Sequence, residues 1–131
     1  MEEAREYPAV RRSLRLAAVR LWVADLTAAL PFYRDTLGLR PTGGGVADGY
    51  AMFDAGGTEL IVEAAGPDDA DLIGRFAGVS FEVDDCAAAH SALTAQGVRF
   101  DGAPEPQPWG GVLAHFFDPA GNVLTLVEYP A

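Results

Sequence analysis

A chain of 131 residues, half of them hydrophobic, predicts one compact domain with a core of its own. No apolar run approaches the ~18 residues of a membrane-spanning helix, and the opening stretch MEEAREYPAVRR has charges where a secretory leader has an apolar centre. Nine arginines and no lysine stand against 19 acidic residues, and a net charge of −10 excludes nucleic acid as a partner, because a phosphate backbone needs a basic face.

In chain order, residues 1–13 read as an N-terminal arm. From Leu14 to Val23 the pattern alternates, with Val19, Leu21 and Val23 on one face and Ala18, Arg20 and Trp22 on the other, which predicts a strand with one apolar face. A helix follows over Leu26–Leu37, with Asp25 or Thr27 as its N-cap and Leu30, Tyr33 and Leu37 as its buried stripe. Pro31 should disturb its early part, and Gly38 should end it. Strands are expected around Leu39–Thr42, Gly49–Phe53 and Thr58–Glu63. A polar stretch rich in Gly, Pro and Asp carries the chain over residues 66–75 as a linker. Beyond it come a strand from about Phe76 to Val83 and a helix over Cys86–Gln96. Strands near Val98–Phe100, Leu113–Phe117 and Asn122–Glu128 complete the chain. The proline-rich loop PEPQPWGG between them carries Trp109. Cys86, the single cysteine, has no partner for an internal disulfide and reads as a small packed residue at a helix start. A cytoplasmic location fits that cysteine usage.

The pattern occurs twice. VRLWVAD at 19–25 matches VSFEVDD at 79–85, each before a helix that stops at a glycine, Gly38 or Gly97. FDAGGTELIVE from Phe53 matches FDPAGNVLTLVE from Phe117, and the sequence DPAGN is well suited to a tight turn. The fold expected is α+β: two tandem β-α-β-β-β modules, residues 14–65 and 76–131, within one domain.

The pattern VxDLxxALxFYRDxLGL at Val23–Leu39, with DPAGNxLxLVE at Asp118–Glu128, resembles the vicinal oxygen chelate superfamily. That superfamily includes glyoxalases, bleomycin-type resistance proteins and extradiol dioxygenases. The resemblance implies that the modules form a curved mixed sheet, an open half-barrel with helices outside and a ligand cavity inside. It also implies a homodimer. In metal-using relatives four strand positions supply the ligands, and they fall here on Ala18, Ile61, Gly78 and Thr125. None carries an imidazole or a carboxylate, so no metal and no cofactor is expected.

The faces opposite the apolar ones should line the cavity. Parity places Arg20 and Trp22, Glu59 and Glu63, Ser80 and Glu82, Leu113, His115 and Phe117, and Thr125 there. Trp109 is expected as a lid or gate. Aromatic walls with a few polar anchors suit a small organic molecule, and three carboxylates against one arginine favour a cation. Arg20 has a competing explanation as a structural pair with one glutamate. His115 is the candidate acid/base, because the resemblance places such a residue there in extradiol dioxygenases, and an imidazole exchanges protons near neutral pH. A structural hydrogen bond is its simpler role. His90 reads as a surface residue of the second helix. The function expected is metal-independent sequestration of an organic, cationic or aromatic ligand. The alternative is an enzyme of the same fold (a lyase, isomerase or dioxygenase) using His115, with or without a displaced metal site.

Overall fold

The structure, a computed structural model, describes residues 14–131, so the expected arm at 1–13 lies outside the described residues. Strand β1 (Ala18–Val23) leads into helix α1 (Leu26–Pro31). Asp25 is the N-cap: its Oδ1 accepts the Thr27 N–H at 2.9 Å. Pro31 acts later than the sequence suggests. It closes α1, and the chain widens into a π-helical turn over Phe32–Thr36, where the Leu37 N–H reaches back to the Phe32 carbonyl at 2.9 Å. A proline has no N–H for the carbonyl four residues earlier, and a wider turn takes up the mismatch.

Strands β2 (Arg40–Gly45), β3 (Tyr50–Asp54) and β4 (Glu59–Ala64) complete the first sheet, in the order β1-β4-β3-β2, with β1 parallel to β4. The stretch expected as a plain linker winds into a 3-10 turn over Pro67–Leu72. Strand β5 (Phe76–Glu82), helix α2 (Cys86–Ala95) and strands β6 (Arg99–Phe100), β7 (Glu105–Pro106), β8 (Val112–Phe117) and β9 (Val123–Glu128) follow. The second sheet has the order β5-β9-β8-β6, and β7 pairs with another stretch of β8. Strand β7 arises inside the proline-rich loop, where the prolines hid it. It is only two residues long, and Pro106 stands at a sheet edge where no N–H is needed. An isolated bridge, Trp22 with Ile73, ties β1 to the segment that leads into β5.

The apolar faces meet in one core. Leu21, Val23, Leu60, Val62, Leu124 and Leu126 are buried as expected, with Tyr33, Phe53 and Phe116 among the largest enclosed side chains. The two halves are unequal, however. Leu21 and Val23 of β1 are 4% and 0% exposed, whereas Phe81 and Val83, their counterparts in the repeat, are only half-buried. Cys86 is buried at the start of α2 and donates its backbone N–H to the Glu128 carboxylate at 2.8 Å. Burial, then the negative charges of Glu128 and Asp85, push its thiol up, so it is not poised as a nucleophile.

A buried polar cluster ties the halves together. The Asp118 carboxylate, 4% exposed, accepts four hydrogen bonds. They come from the Ala120 and Asn122 N–H groups at 2.9 and 2.8 Å, the Asn122 side-chain amide at 3.0 Å, and the Tyr33 hydroxyl at 2.6 Å. Asn122, 1% exposed, also donates to the Trp22 carbonyl at 2.9 Å, and its Oδ1 accepts the Gly74 and Arg75 N–H groups at 2.9 and 3.4 Å. The turn DPAGN thus holds the end of β1, helix one and the entry to β5. An ionised carboxylate can be buried here because donors surround it.

Burial, then the Asp118 charge and the hydrogen bond to it, push the Tyr33 phenol far above its ordinary value. A raised value means the folded state keeps the proton after the unfolded chain has released it. This contribution is whole below about pH 10 and is lost as pH rises further. Tyr33→Phe should cost about 1–3 kcal/mol in urea unfolding at pH 7, the cost of leaving a buried acceptor short of a donor. It should also remove part of the alkaline loss of stability. An unfolding free energy that falls equally steeply above pH 10 in both proteins would contradict this.

Candidate functional site

The expected site residues fall on two open sheet faces. On the first, the pairing sets Trp22 beside Glu63, which lies opposite Tyr50, and Ala18 beside Glu59. Arg20 Nε lies 3.2 Å from Glu63 Oε1, with both side chains about half exposed. Its guanidinium also sits 6.0 Å from the Trp22 ring centre. Glu59 accepts a hydrogen bond from the Thr42 hydroxyl. Two of the three carboxylates expected to attract a cation are therefore already engaged.

On the second face, Thr125 lies between Ser80 and His115. Thr125 is buried, and its Oγ1 is 2.8 Å from His115 Nδ1. The Phe76 ring meets His115 edge-on at 5.8 Å. Phe76 is 61% exposed and was missed in the sequence, although it shares the parity of Ser80 and Glu82. Asp101 and Glu105 were missed as well. With Leu113 and His115 they line a cavity of about 240 Å³. Their positions depend on the β6–β7 connection, which had no strand pattern to read. Phe117 is partly covered: the Arg99 guanidinium lies 3.9 Å from its ring centre.

None of the five principal cavities brings Arg20, Trp22, Glu59 or Glu63 together with Ser80, Glu82, Leu113, His115, Phe117 or Thr125. Trp109 lines none of them. It is half exposed at the β7–β8 turn, 6.1 Å from the Tyr129 ring. His90 is half-buried rather than at the surface, stacked 4.2 Å from Phe100, with Nε2 3.2 Å from the Gly102 carbonyl.

The four positions that the resemblance assigns to metal ligands do not fit a metal. Ala18, Ile61 and Gly78 offer no side-chain donor, and the Thr125 hydroxyl is engaged by His115. Gly78 sits at φ +72° within a register shift of β5, a backbone that an L-histidine would adopt only under strain. Among the described residues no three His, Cys, Asp or Glu side chains gather as a metal-binding group.

The repeat, the paired sheets and the open faces define a member of a known class. The family described as the Glyoxalase/Bleomycin resistance protein/Dioxygenase superfamily matches residues 15–126, and the chain belongs to it. Among relatives, the uncharacterized protein YraH of Bacillus subtilis (strain 168) is 29% identical over 126 residues, covering 88% of this chain and 98% of that one. TnmS3, an antibiotic binding protein from Streptomyces sp. CB03234, has a solved structure that aligns with a TM-score of 0.73 and 29% identity, covering 90% of this chain and 97% of that one. Lactoylglutathione lyase from Agrobacterium tumefaciens aligns with a TM-score of 0.70 over 87% of this chain and 92% of that one; at 24% identity it shares the fold alone. No helix among the described residues is long and apolar enough to cross a membrane.

Gly111 fixes Trp109. A Cβ built there would lie 2.0 Å from the indole ring and 2.7 Å from the Glu128 carbonyl. Gly111→Ala should therefore expel the ring, red-shift its fluorescence and cost about 1–3 kcal/mol of stability. Unchanged emission would show that the indole does not rest on Gly111.

Proposed function

We propose that the protein is a metal-independent binding protein that sequesters a small organic ligand of aromatic or cationic character, acting as a cytoplasmic homodimer. The observation that carries this reading is the donor set. All four positions that chelate a metal in catalytic relatives are occupied by side chains unable to do so, while the aromatic and polar faces around them remain. Stoichiometric binding needs the faces and not the metal. The likeness to an antibiotic binding protein across nearly the whole chain supports it.

The homodimer reading rests on two features. Each sheet face is half a site by itself: Arg20, Trp22, Glu59 and Glu63 on one, and Ser80, Glu82, Leu113, His115, Phe117 and Thr125 on the other. A second copy that sets its first face against the second face of its partner encloses a ligand between them. In addition, the outer side of β5 is under-covered. Apolar hollows of about 380 and 290 Å³ flank it and share Phe81, and Val19 of β1 lines the smaller one. Trp109, half exposed beside Tyr129, serves as a rim of the enclosed site and not as a lid on the single chain.

One observation favours the second reading, a metal-free enzyme. His115 lines a polar cavity together with Asp101 and Glu105. Both readings are tested by one pair of measurements. Titration with polycyclic aromatic compounds should quench Trp22 fluorescence and saturate at one ligand per chain, with metal chelators without effect. His115→Ala should weaken binding less than tenfold and leave the ligand chemically unaltered. Chemical conversion of the ligand that stops in His115→Ala would replace binding with catalysis. Sedimentation showing a monomer that still binds would remove the shared site.

A further inference from the structure

Where the two sheets meet there is a slot of about 50 Å³ that the sequence does not announce. Arg20 and Trp22 of β1 form one side of it, and Arg75, just before β5, forms another; Leu72 and Ala77 supply apolar wall. Two arginine residues thus line one small space beside Trp22. The Trp22–Ile73 bridge and the hydrogen bonds from Asn122 to the Trp22 carbonyl and the Gly74 and Arg75 N–H groups hold both sides in place.

The charges do not cancel. Arg34 and Arg40 are paired with Asp35 and Asp54, and Arg20 with Glu63. Arg99 covers Phe117. Among the described residues Arg75 has no such carboxylate or ring partner. Arg20, Arg75 and Glu63 together leave one positive charge at the slot, in a chain whose net charge is −10. Arg75 and Arg20 are both exposed and line the same small space. A volume of this size is too small for an aromatic ring and suits one carboxylate or a similar oxyanion. Guanidinium forks bind such groups with paired N–H donors.

We propose that this slot is an anion subsite, with Arg75 as its determining residue, which holds a carboxylate carried on an aromatic ligand whose ring lies against Trp22. The inference rests on the binding-protein reading and narrows it. The ligand has an acidic arm at this seam, whatever group faces Glu82 on the other sheet.

The test is calorimetric titration of the full chain, at low ionic strength, with three probes of one shape: 2-naphthoate, neutral 2-naphthamide and 2-naphthylmethylammonium. The naphthoate should bind about tenfold tighter than the amide, a margin of about 1.4 kcal/mol. Added salt should narrow that margin. Arg75→Ala should abolish the preference and leave amide binding unchanged. Its melting temperature should be preserved, because only the Arg75 backbone takes part in the Asn122 cluster. Arg75→Glu should reverse the order in favour of the ammonium probe. Equal binding of naphthoate and amide, or a preference that survives Arg75→Ala, overturns the subsite and leaves the binding reading standing. Failure of all three probes to bind, with Trp22→Ala also without effect, overturns both.

Discussion

The buried carboxylate of Asp118 is the point on which the rest of the structure depends. Among the described residues no cation pairs with it, and four donors hold it: two N–H groups of its own turn, the Asn122 amide and the Tyr33 hydroxyl. Three of the donors belong to its own turn and the fourth, Tyr33, to the π-helical turn after α1. Tyr33 brings in helix one, Asn122 reaches the end of β1 and the start of the second module, and the turn joins β8 to β9. Hydrophobic burial collapses the chain but does not choose an angle between two sheets. A buried anion with fixed donors does, because any other arrangement leaves it unsatisfied.

The repeat makes the asymmetry visible. Asp54 occupies the equivalent place in the first module, yet it is solved differently. The Gly57 N–H, the Arg40 guanidinium and the Gly56 N–H hold its carboxyl below the usual range at the surface. Thr58 stands where Asn122 stands in the second module, and its hydroxyl reaches only the Leu16 carbonyl at 3.5 Å. Leu93 takes the place of Tyr33. One turn therefore became the joint between the modules and the other stayed an ordinary hairpin. The same inequality recurs in packing, where Leu21 and Val23 are buried and their counterparts Phe81 and Val83 only half-buried.

Most of the architecture was legible in the sequence. Alternation at 19–25 and 79–85 identified the first strand of each module, and the two hairpins identified the last, because side-chain parity survives any context. The apolar face of β1 was read to the residue. Local devices were less legible. Pro31 pointed to a break in helix one but not to the π-helical turn it produces, and β7 could not be read through its prolines. The site was legible by face and not by contact. Parity put Arg20, Trp22, His115 and Thr125 on open faces. The Arg20–Glu63 pair and the His115–Thr125 hydrogen bond depend on strand register, and the sequence carries no direct record of that. Phe76, Asp101, Glu105 and Arg75 lie in or beside irregular segments, and three-dimensional placement alone identifies them.

The most direct measurement is native-state hydrogen exchange at the amides that join the modules, Gly74, Ala120 and Asn122, compared with those of Leu60 and Leu124 in the two sheets. If the Asp118 cluster governs the fold, all five amides exchange through one global opening, with a single free energy and a single denaturant dependence. Two distinct openings, one for each sheet, with the joining amides exchanging faster than both, would contradict the account.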